Sequence, residues 1–127
     1  MIIPTEEEID QYLYELRTTI ESEDCVFNIS KTDKNDEFMD EYPMRINMIK
    51  QLIIDLTCGD FSEILINNHN HHKNEKLYLF GPIVDLTNIL GQTRRVQIYL
   101  KINYLRNNKQ VIVVSLHEAR YKINFMF

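Results

Sequence analysis

The chain has 127 residues, 44% of them hydrophobic and 26% charged, with three glycines and three prolines. That composition belongs to one compact domain and excludes disordered and collagenous classes. The net charge of −5 divides unevenly: residues 1–75 hold six bases and seventeen acids, residues 76–127 eight bases and two acids.

The opening MIIPTEEEID has neither a basic nor an apolar leader segment, so no export signal is expected. Thr5-Glu6-Glu7-Glu8 is a capping-box pattern, and its acids suit the positive end of a helix dipole. Ile9, Tyr12, Leu13, Leu16 and Ile20 follow at helical spacing, which predicts an amphipathic helix over about residues 5–22. Cys25 to Ser30 is β-prone and reads as a strand, Lys31 to Asn35 as a loop, and Asp36 to Glu41 as one or two helical turns.

Pro43 suits the first turn of the next helix, where its missing N–H costs nothing. Ile46, Ile49, Leu52, Ile53 and Leu56 form that helix's buried stripe, and Thr57-Cys58-Gly59 ends it. Asp60 to Leu65 reads as a short turn or helix. Asn67 to Glu75, NNHNHHKNE, has no apolar residue and is expected to be an exposed loop. Lys76 to Phe80 is a strand broken by Gly81-Pro82, while Ile83 to Leu90 reads equally as a strand continuation or an irregular excursion.

The clearest pattern comes last. Val96, Ile98, Leu100, Ile102 and Tyr104 alternate with Gln97, Tyr99, Lys101 and Asn103, the period of a half-buried strand. Arg106-Asn107-Asn108-Lys109 supplies a turn, with asparagine the residue suited to positive φ. Val111 to Val114 returns as an interior strand apolar on both faces. Tyr121 to Phe127 adds a possible short terminal strand. Helices followed by sequentially adjacent strands predict one α+β domain over residues 1–127, with a mainly antiparallel twisted sheet and helices packed on one face. Leu13, Leu16, Ile49, Leu52, Ile53, Leu56, Leu100, Ile102 and Val113 are the expected core.

Two lone cysteines, Cys25 and Cys58, suggest free thiols in a reducing cytosol, so the expected location is cytoplasmic. No apolar run reaches the ~18 residues of a membrane helix. His69, His71 and His72 invite a check for metal, but no thiolate or carboxylate stands at ligand spacing, and no metal or cofactor is expected. Three scattered glycines cannot build a phosphate loop. Ser115 and His117 share a strand face, yet lie too far apart along it for a nucleophile–base pair.

His117 carries the sharper hypothesis. An imidazole with a pKa near ~6.5 serves as a general acid or base at cell pH. If the hairpin register sets Tyr99 opposite His117, then Tyr99, Lys101, Ser115 and His117 share one face, a condition that a one-residue shift reverses. Such a face, in the basic half, suits metal-free RNA cleavage: cations neutralise phosphate while the ribose 2′-OH attacks. The competing reading makes His117 a surface residue at a strand end and Tyr99 a packing residue.

QIYLKI at Gln97–Ile102 and VVSLHEA at Val113–Ala119 are similar to the closing strands of the motility quorum-sensing regulator (MqsR) family of toxins. The asparagine and phenylalanine of KNDEF at Lys34–Phe38, the stretch Ile49–Phe61, and LYLFG at Leu77–Gly81 also resemble that family and its relatives. The resemblance covers roughly residues 25–119. It implies a RelE-like fold, metal-independent cleavage of messenger RNA, free or on the ribosome, and silencing by a cognate antitoxin. By position Tyr99 corresponds to the family's strand tyrosine, and His117 stands where the best-known member has a lysine. A further family lysine falls near Glu63 and is not kept; the family's glutamine near LYLF has no counterpart.

The expected function is therefore a toxin of a bacterial toxin–antitoxin pair, an endoribonuclease with Tyr99, Lys101 and His117 catalytic. Arg94, Arg95 and Arg120 are its expected RNA contacts. The alternative is a non-catalytic nucleic-acid- or protein-binding adaptor on the same fold. The acids on or beside the first helix offer a separate idea: that helix docks a basic partner or shields the basic groove.

Overall fold

A computed structural model describes residues 2–67 and 75–127. The order is α1 (Glu6–Glu21), β1 (Val26–Ile29), α2 (Asp33–Glu41), α3 (Ile46–Ile54), β2 (Phe61–Ile66), β3 (Lys76–Phe80), β4 (Ile83–Thr87), β5 (Thr93–Leu105) and β6 (Gln110–Glu118). The protein is α+β. Its sheet runs β1-β6-β5-β3-β2, with β4 on β5. Four of these pairings are antiparallel, but β1 lies parallel to β6, so the sheet is mixed. The parallel pair follows from the connection: β1 returns to β6 only after two helices and four other strands. No helix among the described residues is long and apolar enough to cross a membrane.

Local chemistry sets most helix ends. Thr5 and Glu8 close the expected capping box, with the Glu8 N–H donating to Thr5 at 3.2 Å and the Thr5 N–H donating to Glu8 at 3.0 Å. These bonds hold the Glu8 carboxyl below its usual value. α2 starts earlier than expected, because Thr32 caps it by accepting from the Asn35 N–H. α3 starts later: Pro43 lies ahead of it, and Arg45 holds the cap position without a side-chain bond. It also ends earlier, at Ile54, so Thr57 to Asp60 forms a separate capped 3₁₀ turn.

Asp60 to Leu65 is corrected from turn or helix to strand. Phe61 is fully buried and pairs with Phe80, so tertiary pairing overrides local ambiguity. Ile83 to Thr87 resolves as β4, a hairpin with β5 that closes at Gly91 with φ +79°. In the β5–β6 turn the positive φ falls on Lys109 (47°), not on either asparagine; its ammonium is tied to Asp24 at 2.8 Å. Tyr121 to Phe127 is not a strand. The histidine loop lies outside the described residues.

All three helices share one core with one sheet face. Ile9, Leu13 and Leu16 of α1, Phe38 of α2, and Ile49 and Ile53 of α3 meet Phe80, Ile98, Leu100, Ile102, Val113 and Leu116. Each of these twelve side chains sits in the fully or nearly fully buried cluster, and burying one such residue stabilises by about 1.5–3 kcal/mol. Of the expected core only Leu52 is merely half-buried, and Ile46 of the expected stripe is 49% exposed.

Candidate active site on the open sheet face

The face opposite the helices is built by register. Tyr99 pairs with His117, and Lys101 pairs with Ser115. The next strands extend this row, with Leu79 opposite Lys101 and Glu63 opposite Leu79. Plain alternation would not achieve this. Val111 and Val113 point into the core, so residues 115 and 117 would follow them inward. A bulge between Lys101 and Ile102 leaves Val114 as an extra residue on β6. It reverses the parity, so Leu116 is buried and Ser115 and His117 face out.

Asn35 stabilises that bulge. Its side chain is fully buried. Its Nδ2 donates to the Ser30 carbonyl at 2.9 Å and the Val114 carbonyl at 3.2 Å, while its Oδ1 accepts from the Leu116 N–H at 2.8 Å. β1 stops pairing at Ile29–Val113, so the amide takes over as a short surrogate strand beside β6. Nothing in the KNDEF string reveals this role, since its partners lie 79 and 81 residues away.

A cleft of about 780 Å³ opens over this row. Tyr99, Lys101, Ser115 and His117 form the floor, the start of α2 one side, and Arg120 to Asn124 another. Four bases (Lys34, Lys101, Arg120, Lys122) and two acids (Asp33, Glu63) line it. A second hollow of about 200 Å³ shares His117, Arg120 and Lys34 with the first.

The Tyr99 and His117 rings stack, with centroids 5.0 Å apart and planes 8° from parallel. His117 Nδ1 lies 3.1 Å from the Glu118 carbonyl oxygen, which can only accept. That bond selects the Nδ1–H tautomer and leaves Nε2 as the basic nitrogen. The Lys101 ammonium sits 5.8 Å from the Tyr99 ring centre. Burial pushes the Tyr99 phenol above its usual value, and the Glu63 carboxylate adds to that. Burial also lowers the Lys101 ammonium, without pairing it to a carboxylate.

Of the residues expected from sequence, Tyr99, Lys101, His117 and Arg120 come together. Arg94 and Arg95 lie on the β4–β5 arm, outside the cleft, facing Glu41 at 3.8 Å and Asp85 at 3.5 Å. α1 contributes no residue to the cleft lining: its Glu15 meets Arg106 at 3.3 Å and its Glu6 accepts from the Cys58 thiol at 3.4 Å. Sequence reading missed Lys34, Tyr121 and Lys122, which tertiary packing alone brings to the rim. Among the described residues no three His, Cys, Asp or Glu side chains group to hold a metal ion. Comparison with protein-family models, with curated proteins and with solved structures finds no match to this chain.

Proposed function

We propose that the protein is a metal-independent endoribonuclease, the toxin of an MqsR-like toxin–antitoxin pair on a RelE-like fold, which cleaves messenger RNA. The observation that carries this reading is the Tyr99–His117 stack beside Lys101 in a cleft with surplus positive charge. In the reaction His117 Nε2 takes the proton of a ribose 2′-OH as that oxygen bonds to the adjacent phosphorus. The P–O5′ bond breaks and the departing O5′ takes a proton from water, whose hydroxide is neutralised by the proton that His117 Nε2 then returns. Products are a 2′,3′-cyclic phosphate and a 5′-hydroxyl. Tyr99, held protonated, donates to a non-bridging oxygen, and Lys101 and Arg120 offset the charge that builds there. An α+β fold with three helices on one face of the sheet and a cleft on the other supports the RelE-like reading.

The adaptor reading draws on one observation, the Glu63 carboxylate in the same cleft, which opposes a phosphate. Inducing the gene and following growth and messenger RNA separates the two. Growth arrest with RNA loss, and cyclic phosphate ends from the purified protein on RNA, are expected. Unaffected growth with intact RNA would leave only the adaptor.

A further inference from the structure

The C-terminal tail departs from β6 without forming a strand, yet it is anchored firmly. Ile123 is buried, its N–H donates to Gln97 Oε1 at 3.0 Å, and Gln97 Nε2 donates to the Gly81 carbonyl at 3.1 Å. Gly81 admits this approach because it has no side chain: a Cβ there would lie 2.9 Å from Ile123. Further on, the Met126 N–H donates to the Phe61 carbonyl at 3.0 Å, and the Phe127 ring stacks on Phe61 at 6.1 Å. The anchors hold the preceding residues along the rim of the cleft.

Those residues are Arg120, Tyr121 and Lys122. All three line the cleft that contains His117. Tyr121 is 85% exposed, the most exposed large apolar side chain among the described residues. The ring is open to a ligand, and two cations flank it in sequence with no carboxylate of the described residues paired to either. Alternating cation, aromatic and cation is the chemistry that binds a single nucleic-acid strand: charge follows the phosphates and the ring stacks a base. A duplex hides its bases within its own stack and cannot offer one to a ring.

We infer that the tail is a base-stacking subsite, in which Tyr121 takes one unpaired nucleobase of a single-stranded RNA and Arg120 and Lys122 hold the phosphates beside it. This rests on the RNA-binding part of the function proposed above. It adds that the substrate enters unpaired, with one base next to the scissile phosphate splayed onto the tail.

The test uses the full chain and single-stranded oligonucleotides with 2′-O-methyl riboses, which block attack by the 2′ oxygen, carrying 2-aminopurine at successive positions. Fluorescence should be quenched strongly at one position on binding. Tyr121→Ala should abolish that quench and weaken binding roughly 5- to 100-fold, whereas Tyr121→Trp should keep both. Lys122→Ala should leave the quench in place and reduce the salt slope by ~0.7. Tyr121 is so exposed that its replacement leaves the fold intact, which circular dichroism checks. Wild-type affinity and quenching in Tyr121→Ala, or equal binding of a duplex of the same sequence, would overturn the subsite. Cleavage of all-ribose RNA is scored separately. Its absence in the wild type removes the catalytic proposal without touching the stacking result.

Discussion

The Asn35 Oδ1 accepts the Leu116 N–H at 2.8 Å, and through that bond a residue of α2 decides which way His117 points. The same amide donates to the Val114 carbonyl, so both ends of the bulge close on one buried side chain. Asn35→Ala leaves a buried donor and acceptor without partners, each costing about 1–3 kcal/mol. A loss of about 2–6 kcal/mol is expected in urea unfolding, with a shift of the His117 ring resonances. Asn35→Asp keeps the acceptor but sets a buried carboxylate oxygen against the Ser30 and Val114 carbonyls, so it should recover none of the loss at neutral pH. Wild-type stability in the alanine variant would remove the clamp.

Replacing His117 by alanine removes the basic Nε2 and the ring stacked on Tyr99. Cleavage should fall by ~10²–10⁴-fold, the usual cost of a general base, while RNA affinity and fold stay close to wild type. Tyr99→Phe keeps the stack and loses the hydroxyl, and should reduce the rate with little change in affinity. A folded His117→Ala protein that cleaves at the wild-type rate would end the assignment.

Glu63 and Lys101 share the cleft and act on a phosphate with opposite sign. Lys101→Ala should weaken RNA binding and flatten its salt dependence by ~0.7, so the gap from wild type narrows as salt rises. Glu63→Lys should do the reverse, tightening binding most at low salt. Both follow from titrating RNA binding at several salt concentrations. Identical slopes in all three proteins would place these side chains away from the RNA backbone.

The Tyr99 phenol is raised first by burial and then by Glu63, which means the folded state holds its proton more tightly than the unfolded chain. Its contribution to stability is full below the unfolded value of ~10 and is lost as pH rises through the higher folded value. Tyr99→Phe should therefore lose less stability than wild type between pH 10 and 12. Glu63→Gln should bring the Tyr99 titration down, read by absorbance of the phenolate. An unmoved titration in Glu63→Gln would separate the two residues.

How much of this was legible beforehand depended on range. α1 with its capping box, the alternation of β5 and the return of β6 are written in neighbours a few residues apart, and each appears as expected. Tyr99 and Lys101 could be named because period 2 assigns faces within β5; His117 could be named for its imidazole, and its meeting with them stated as a condition on register.

Whether that condition held was decided by tertiary structure alone. Residue 117 is turned outward by an extra residue in β6, and that residue is held by an asparagine on another element. The parallel β1–β6 pair, the strand at Phe61 and the seating of the tail on Gly81 have the same origin. Arg94 and Arg95 carry the charge an RNA contact needs, yet the β4–β5 hairpin places them beside Asp85 and Glu41. Composition assigns charge and periodicity assigns faces, because both are local; a backbone group left open by a bulge finds its partner wherever the folded chain brings one.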